Sequence, residues 1–586
     1  MYGKCGSLQR AWDVFDAIPN KDLVSWTAII TAYARNGHGR QAIHLFHELE
    51  SQGFHPDAFT YTAALDACSS SKDLTQGKAL HSKIRERNLE SNAAVANALM
   101  NMYSNCGFLD LARNIFENVK ERNVISWNTM IGANTQCGHF GKALELYKEM
   151  DLPPTPATFV NAIAACCGLL DLSQGKIIHC QVRSMGLEEN AIVASALIDF
   201  YGKCGRLDEA RGVFDRIKNR SRSAHVWTAI ISAYTRSGHP ARALEIYREM
   251  ASIREIHPDA VTFVAVLNAC SILRCLEEGR QIHRMIASDQ KRRSMLEENG
   301  FVANSLINLY GKCGCVEDAR KVFDLIKNRD VVSWNSIISA YVQQGNHREV
   351  IHLFQRMESA LEPNEITFQS VLASCSQARD FDLGCEIHAR IDRQGSITLA
   401  RDSKLAIAVV EMYCGCGFPD RAQRIIEEQR IPDSCAWTTT LAAYAHESRL
   451  PEFFELHLEM ELHGVDFDAV TYVCLLTACS HAGMIDRGRD FFSSMADDRK
   501  ISQAVEHYAC VVDLLARAGW LTQADELIRV IPFEVDVETY MALLGACRMQ
   551  NDFCLGCRIV RRVLQLNPRH LGAYSLLHNM LTNFAS

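Results

Sequence analysis

The chain has 586 residues, with 61 Lys and Arg against 69 Asp and Glu, a net charge of −8 and the two signs interspersed. That balance excludes a bulk basic footprint for nucleic acid, so a polyanion would have to be held in a local groove. No apolar run of about eighteen residues is present, which argues against a membrane span, and a mean hydropathy of −0.08 agrees with a soluble chain.

Met1 is followed at once by YGKCG, a phrase that recurs inside later units, so residues 1–22 read as the remnant of a short repeat. The expectation is an incomplete chain, with any signal or transit peptide upstream of it. From Leu23 the phrase LVSWTAIITAYARNG begins, and it returns as VISWNTMIGANTQCG from Val124, AHVWTAIISAYTRSG from Ala224, VVSWNSIISAYVQQG from Val331 and SCAWTTTLAAYAHES from Ser434. Five of the seven tryptophans (Trp26, Trp127, Trp227, Trp334, Trp437) belong to it, at intervals of 101, 100, 107 and 103 residues. A second phrase, DAFTYTAALDACSS from Asp57, recurs from Thr155, Asp259, Asn364 and Asp468, and a third, VANALMNMYSNCG from Val95, recurs from Val193 and Val302. The period of about one hundred therefore splits into three units of about 31 to 40 residues. Length, which alone would suggest about four domains, counts repeats instead.

Within a unit the apolar residues recur at helical spacing. Trp334, Ile337, Ile338 and Tyr341 precede a break at Gly345, and Val350, Leu353, Phe354 and Met357 follow it. The spacing predicts two antiparallel helices of about twelve residues each. Such a hairpin cannot bury its apolar face alone, so the array is expected to be all-α, a right-handed α-solenoid superhelix of stacked helix-turn-helix repeats. Its concave surface would be lined mostly by the first helix of each pair. Pro-Asp steps such as Pro56-Asp57 and Pro258-Asp259 stop the second helices. The tryptophans fall on the inward stripe and are expected to pack. Asn335 is turned about 100° from that stripe, toward the groove, where an Asn has no packing reason to be.

The 23 cysteines follow the repeat. Cys5, Cys106, Cys204 and Cys313 precede a turn Gly, while Cys68, Cys166, Cys270, Cys375, Cys479 and Cys547 follow Ala or Ser in a helix. Periodic placement without metal-type pairs suits small packing residues in a reducing compartment. His81, His179, His283 and His388 recur one period apart, so stacking spreads them and they are expected to be structural. His457-Leu-Glu459 and Cys554-Leu-Gly-Cys557 match fragments of a zinc-deaminase pattern, but about 95 residues apart and inside repeat helices; a catalytic zinc needs three ligands brought together. No metal, cofactor or enzymatic activity is expected.

The order SWNxxI, TFxxVLxAC, NxLIxxYxKCG resembles plant pentatricopeptide-repeat (PPR) proteins of the class alternating standard, long and short motifs, over essentially the whole chain. In that register residues 23–536 hold about fifteen motifs. Standard motifs begin at Leu23, Val124, Ala224, Val331 and Ser434, long ones at Ala58, Pro156, Ala260, Glu365 and Ala469, and short ones at Ala93, Ala191, Gly300, Ser403 and Val505. Residues 537–586 resemble a truncated E-type extension, with no cytidine-deaminase-like DYW domain after it.

The resemblance implies one base of single-stranded RNA per motif, read by the fifth and last residues, a mode that other helical repeats share. The implied pairs are Thr27 with Asp57, Asn97 with Asn123, Asn128 with Thr155, Thr228 with Asp259, Asn304 with Asp330, Asn335 with Asn364, and Thr438 with Asp468. Val24, Ile125 and Val332, second in their motifs, would sandwich the bases. Under the family's code Thr/Asp favours G, Asn/Asp favours U, and Asn/Asn favours a pyrimidine. Ser195 with Ser223 and Ile407 with Asp433 depart from useful combinations. Val160, Val264 and Val473 cannot hydrogen-bond a base, so their long motifs are expected to space rather than read. Asn and Thr near helix starts also serve as caps, which is the competing explanation.

The implied function is sequence-specific RNA binding in a mitochondrion or chloroplast, specifying a site of C-to-U editing. The deaminase would come in trans from a deaminase-bearing relative or other editing factors recruited by the C-terminal extension. The alternatives are a factor that stabilises, processes or splices a transcript without editing, and a tetratricopeptide-like protein scaffold. The scaffold would show Lys/Arg carboxylate clamps where this chain has Asn, Thr and Asp.

Overall fold

In the computed structural model, the described residues are 2–576 apart from 120, 218–222, 254–255, 299, 394–402, 498–500, 569 and 573. The last ten residues assigned to the C-terminal extension lie outside them. The described elements are helical throughout and fall into two compact units, Met1–Leu309 and Tyr310–Ser586. Within each unit successive helical hairpins stack as an α-solenoid: Leu23–Arg35 pairs with Gly39–Ser51, Ala58–Ser71 with Leu74–Glu86, and Ala93–Asn105 with Leu109–Asn118. In each unit first helices pack on first helices of the neighbouring hairpins and form a layer. The longest Trp-to-Trp interval, 107 residues, contains an additional short helix, Gln290–Glu297.

Every hairpin turns at a residue in the left-handed region. Four standard motifs use Gly there, as at Gly37 (φ 81°) and Gly238 (φ 79°), and the fifth uses Ser448 (φ 58°). Long motifs place Lys72, Leu170, Arg274 and Arg379 at φ 54–55°, where an L-residue costs roughly 1–2 kcal/mol. The helix of a long motif is thereby closed by an αL residue that donates back to Cys68 or its counterpart carbonyl.

The tryptophans are buried, as their position on the inward stripe requires. What they pack on was not visible in one unit alone. Each meets, edge to face, a phenylalanine from the second helix of the preceding short motif: Phe15 with Trp26 at 4.8 Å, Phe116 with Trp127 at 5.0 Å, Phe214 with Trp227 at 4.8 Å and Phe323 with Trp334 at 4.9 Å. A cation covers the phenylalanine, with Arg122 4.6 Å from Phe116, Arg329 4.7 Å from Phe323 and Lys21 5.2 Å from Phe15. Trp437 differs: its indole N–H donates to the Ile431 carbonyl at 3.0 Å, and its ring lies against His463.

The periodic histidines tie long motifs to short ones. His81 Nδ1 is 2.8 Å from the Tyr103 hydroxyl and its Nε2 is 2.8 Å from Glu90; His179 repeats this with Tyr201 and Glu188, and His388 with Tyr413 at 3.0 Å. Burial holds the His179 pKa below its ordinary value, so a neutral ring bridges the two motifs. The cysteines that follow Ala or Ser are buried, and burial pushes the thiols of Cys68, Cys166 and Cys375 to about 12, which keeps them protonated packing groups.

Because Trp227 is fully buried in the junction between motifs, Trp227→Ala is expected to cost about 3–5 kcal/mol. The loss should appear in chemical denaturation and as faster amide exchange in helices Leu207–Arg216 and Ala224–Arg236, with helices several motifs away retaining their protection.

Candidate nucleic-acid interface

The last residue of each standard motif is the N-cap of the following first helix. Asp57 Oδ1 accepts from the Thr60 backbone N–H at 2.8 Å and from its hydroxyl at 2.7 Å. Asp259 does the same with Thr262, and Asp468 with Thr471. Asn364 and Thr155 complete reciprocal capping boxes with Thr367 and Thr158. Extended φ and ψ at these caps and a hydroxyl three residues on fix where the helix starts.

The threonine hydroxyl also reaches across to the fifth residue of the preceding motif. Thr60 and Thr27 hydroxyls are 2.8 Å apart, Thr262 and Thr228 2.6 Å, and Thr471 and Thr438 2.9 Å. In the Asn pair, Thr367 donates to Asn335 Oδ1 at 2.7 Å while Asn335 Nδ2 donates to Asn364 Oδ1 at 3.0 Å. Asn128 Nδ2 donates to the Thr155 hydroxyl at 3.1 Å. Fifth residue, last residue and the third residue of the next motif therefore form one hydrogen-bonded set. In the Asp sets both bonds fall on Oδ1, leaving Oδ2 without a protein partner among the described residues.

This corrects the expectation for Asn335. It does not stand free in the groove: it is only 8% exposed, and both ends of its amide are held by Asn364 and Thr367. Thr228, Thr438 and Asn304 are buried to a similar degree, whereas Thr27, Asn97 and Asn128 are half-buried. The helix cap is likewise the last residue of the motif and not the fifth.

For the short motifs, Asn123 caps Ser126 through Oδ1, and Asp330 caps Ser333 in the second unit. Asn97, Asn128 and Asn304 each bury an amide oxygen that has no hydrogen-bond partner. Ser195 donates back to its own helix at the Ala191 carbonyl, and Asp433 caps Cys435.

Two cavities show what stands in front of these sets. One of about 830 Å³ is lined by Val24, Thr27, Thr31, Arg35, Asp57 and Phe59. The other, about 770 Å³, is lined by Ile192, Asp199, Thr228, Arg236, Asp259 and Val261. In the first, the pair Thr27 with Asp57 lies between Val24 and Phe59, second in its own and the following motif; in the second, His225 is second in the reader's own motif, and Ile192 and Val261 are second in the motifs before and after it. Val24 is 74% exposed, Phe59 75% and Val261 61%, and Ile125, Ile192, Val332, Ile366 and Val470 are exposed at the same register. A single exposed apolar residue needs no explanation, but a row at one register does. Sequence reasoning found Val24, Ile125 and Val332 and missed the long- and short-motif members. The signal was present, because an apolar residue occupies second position in phrase after phrase.

His457 lies between the rings of Phe467 and Phe491 at 5.4 and 5.3 Å, and Glu459 accepts from Gln423, so this pair serves packing. Among the described residues no group of three or more His, Cys, Asp or Glu could hold a metal ion, and no helix is long and apolar enough to cross a membrane.

A stack of two-helix units with a register-locked polar wall defines a helical-repeat binding protein. The PPR repeat family matches residues 21–70, 222–271 and 329–377, and the PPR repeat itself matches 95–124, 125–151, 192–221, 301–331 and 470–499. A mitochondrial pentatricopeptide repeat-containing protein of Arabidopsis thaliana is 34% identical over 99% of this chain and 75% of its own length. A chloroplastic one from the same plant is 32% identical over 99% of this chain and 66% of its own. The crystal structure of PPR10 from maize superposes with a TM-score of 0.57 at 19% identity, over 99% of this chain and 85% of that one, which shows a shared fold. The chain belongs to the pentatricopeptide repeat family.

Thr367→Val tests the hydrogen-bonded set. Removing the hydroxyl leaves buried Asn335 Oδ1 without its donor, at a cost of about 1–3 kcal/mol. Denaturation should show that loss, and the double variant Thr367→Val with Asn335→Val should recover part of it.

Proposed function

We propose that the chain is a sequence-specific single-stranded RNA-binding protein of a plant organelle, of the class that alternates standard, long and short motifs. The observation that carries this reading is the repeated juxtaposition of a fixed polar pair with exposed apolar side chains on either side. A base is a flat apolar plate with a hydrogen-bonding edge. Apolar side chains such as Val24 and Phe59 fit its faces, and a pair such as Thr27 with Asp57 fits its edge. Such a site is sequence-tolerant in its stacking and selective in its edge contacts. PPR10, which shares the fold, has been crystallised with an 18-nucleotide RNA element, and the relatives include mitochondrial and chloroplastic proteins.

Reading from Thr27 to Thr438, the preferred bases 5′ to 3′ are G at Thr27, pyrimidines at Asn97 and Asn128, G at Thr228, U at Asn304, a pyrimidine at Asn335 and G at Thr438. Within this reading the chain specifies a site of C-to-U editing, with the deaminase supplied in trans. The helical hairpin Val537–Gln550 with Phe553–Leu566, in the part resembling an E-type extension, is the surface that would recruit it.

An RNA built from those preferences should bind at least about tenfold tighter than one with its G and U positions exchanged, roughly 1.4 kcal/mol. Equal affinity for both, measured by fluorescence anisotropy, would sink base reading. The paired change Asn335→Thr with Asn364→Asp should move the preference at that base from pyrimidine to G. For editing, loss of the chain should abolish conversion at one cytidine preceded by the matching sequence. Unchanged editing with altered abundance of the same transcript would favour a stabilising factor instead.

A further inference from the structure

The cations beside one reading pair are already neutralised. Arg236 lines the same cavity as Thr228, Asp259 and Val261, where a bound strand would bring its phosphates within reach, yet its guanidinium is ion-paired with Asp199 on the neighbouring motif. Lys203, one turn along the helix from Asp199, holds the same carboxylate at 3.3 Å. All three side chains are two-fifths to one-half exposed, so water does not lack access and nothing in the packing demands the pair. In the second unit Arg517 is held within its own helix by Asp513, four residues before it, at 2.8 Å, and Asp513 also accepts from Ser480 at 2.6 Å.

The sequence repeats the relation. Asp199 is ninth in its short motif, and the thirteenth residue of the following standard motif is Arg236. Where the ninth residue is Asn101 or Asn308, the thirteenth residue of the next motif is Gln136 or Gln343; where it is Glu411, the counterpart is His446. An acid at one register accompanies a base at the other, and an amide accompanies an amide. A row of cations kept only to hold phosphates would not carry this matching.

We propose that Asp199 is a specificity-determining residue which suppresses sequence-independent RNA binding by holding Arg236 and Lys203 away from the phosphate backbone. The inference rests on the RNA-binding reading above. Phosphate contacts add affinity for every sequence alike, whereas edge contacts add it only for the right bases. A groove that cancels its own cations leaves the base edges to decide, and it lowers the capture of the chain by unrelated transcripts.

The test is the salt dependence of RNA binding by Asp199→Asn, an isosteric change at an exposed position, using the matched RNA and the G/U-exchanged RNA. One net positive charge gained should steepen the slope of log affinity against log salt by about 0.7, so that about 2.5-fold more affinity is lost between ~50 and ~200 mM salt than in the unaltered protein. At low salt both RNAs should gain by the same factor. Adding Arg236→Gln restores the net charge and should return the slope to its starting value. Asp513→Asn provides an independent arm beside Arg517 and should steepen the slope likewise. An unchanged slope in both single variants overturns the proposal, as does a gain confined to the matched RNA, which would make Asp199 a base-reading residue. If the unaltered protein binds neither RNA, the RNA-binding reading falls and this inference falls with it.

Discussion

The hydrogen bond from a motif's last residue to the start of the next first helix governs the arrangement of the wall. Asp57 must stand at the N-cap to satisfy the Thr60 N–H, and that requirement fixes both the helix start and the direction of the carboxylate. A helix that began one residue later would rotate every following side chain by about 100°, taking the second residue out of the groove and the fourth out of the core. The cap is therefore a register pin. Capping does not exhaust the side chain: Oδ1 caps, and Oδ2 is left over for the base edge of the proposed reading.

The stacking contacts supply the rigidity that such a wall needs. Phe214 and Trp227 lie in successive motifs, as do Phe116 and Trp127, so each edge-to-face pair clamps two hairpins at a point one side chain away from a fifth residue. Trp227 is immediately followed by Thr228, and Trp127 by Asn128. Movement of the junction would move the fifth residue directly. The His179–Tyr201–Glu188 set performs the equivalent service between a long and a short motif, and Phe492 with Tyr508 does so edge to face at 5.1 Å at another such junction.

Much of this was legible in the sequence because period and phrase repeat together. The burial of the tryptophans, the packing role of Cys68 and its counterparts, and the structural role of His81 and His179 all follow from where a residue sits on a helix. Contacts between units separated by a loop were harder to see. The Phe116–Trp127 pair and its Arg122 cover join the end of one phrase to the start of the next, and a phrase read alone does not show its partner. Asn335 was misjudged for a similar reason. Angular position on one helix puts it at the groove, but the neighbouring helix brings Thr367 across and buries it.

That crossing hydroxyl also orders the motifs by what they can do. Each standard motif is followed by a long motif whose third residue is Thr60, Thr158, Thr262, Thr367 or Thr471, all buried and hydrogen-bonded. After the long motifs beginning at Ala58, Pro156 and Ala260, the third residue of the next motif is Val95, Val193 or Val302, which offers nothing to a polar neighbour. The fifth residues match this: Val160 and Val264 are apolar, and Thr62 bonds back to its own helix at the Ala58 carbonyl. The two short motifs whose pairs depart from the useful combinations, at Ser195 and Ile407, are likewise followed by Val226 and Ala436 at third position. A hydroxyl from across the junction thus bonds the fifth residue directly at Thr27, Thr228, Asn335 and Thr438, whereas Asn97 and Asn304, followed by Ser126 and Ser333, keep an amide oxygen without a partner among the described residues. In the proposed reading, the long motifs contribute by orienting the reader on the motif before them, while their own fifth residues, Thr62, Gln369 and three valines, are followed by no hydroxyl at third position of the next motif.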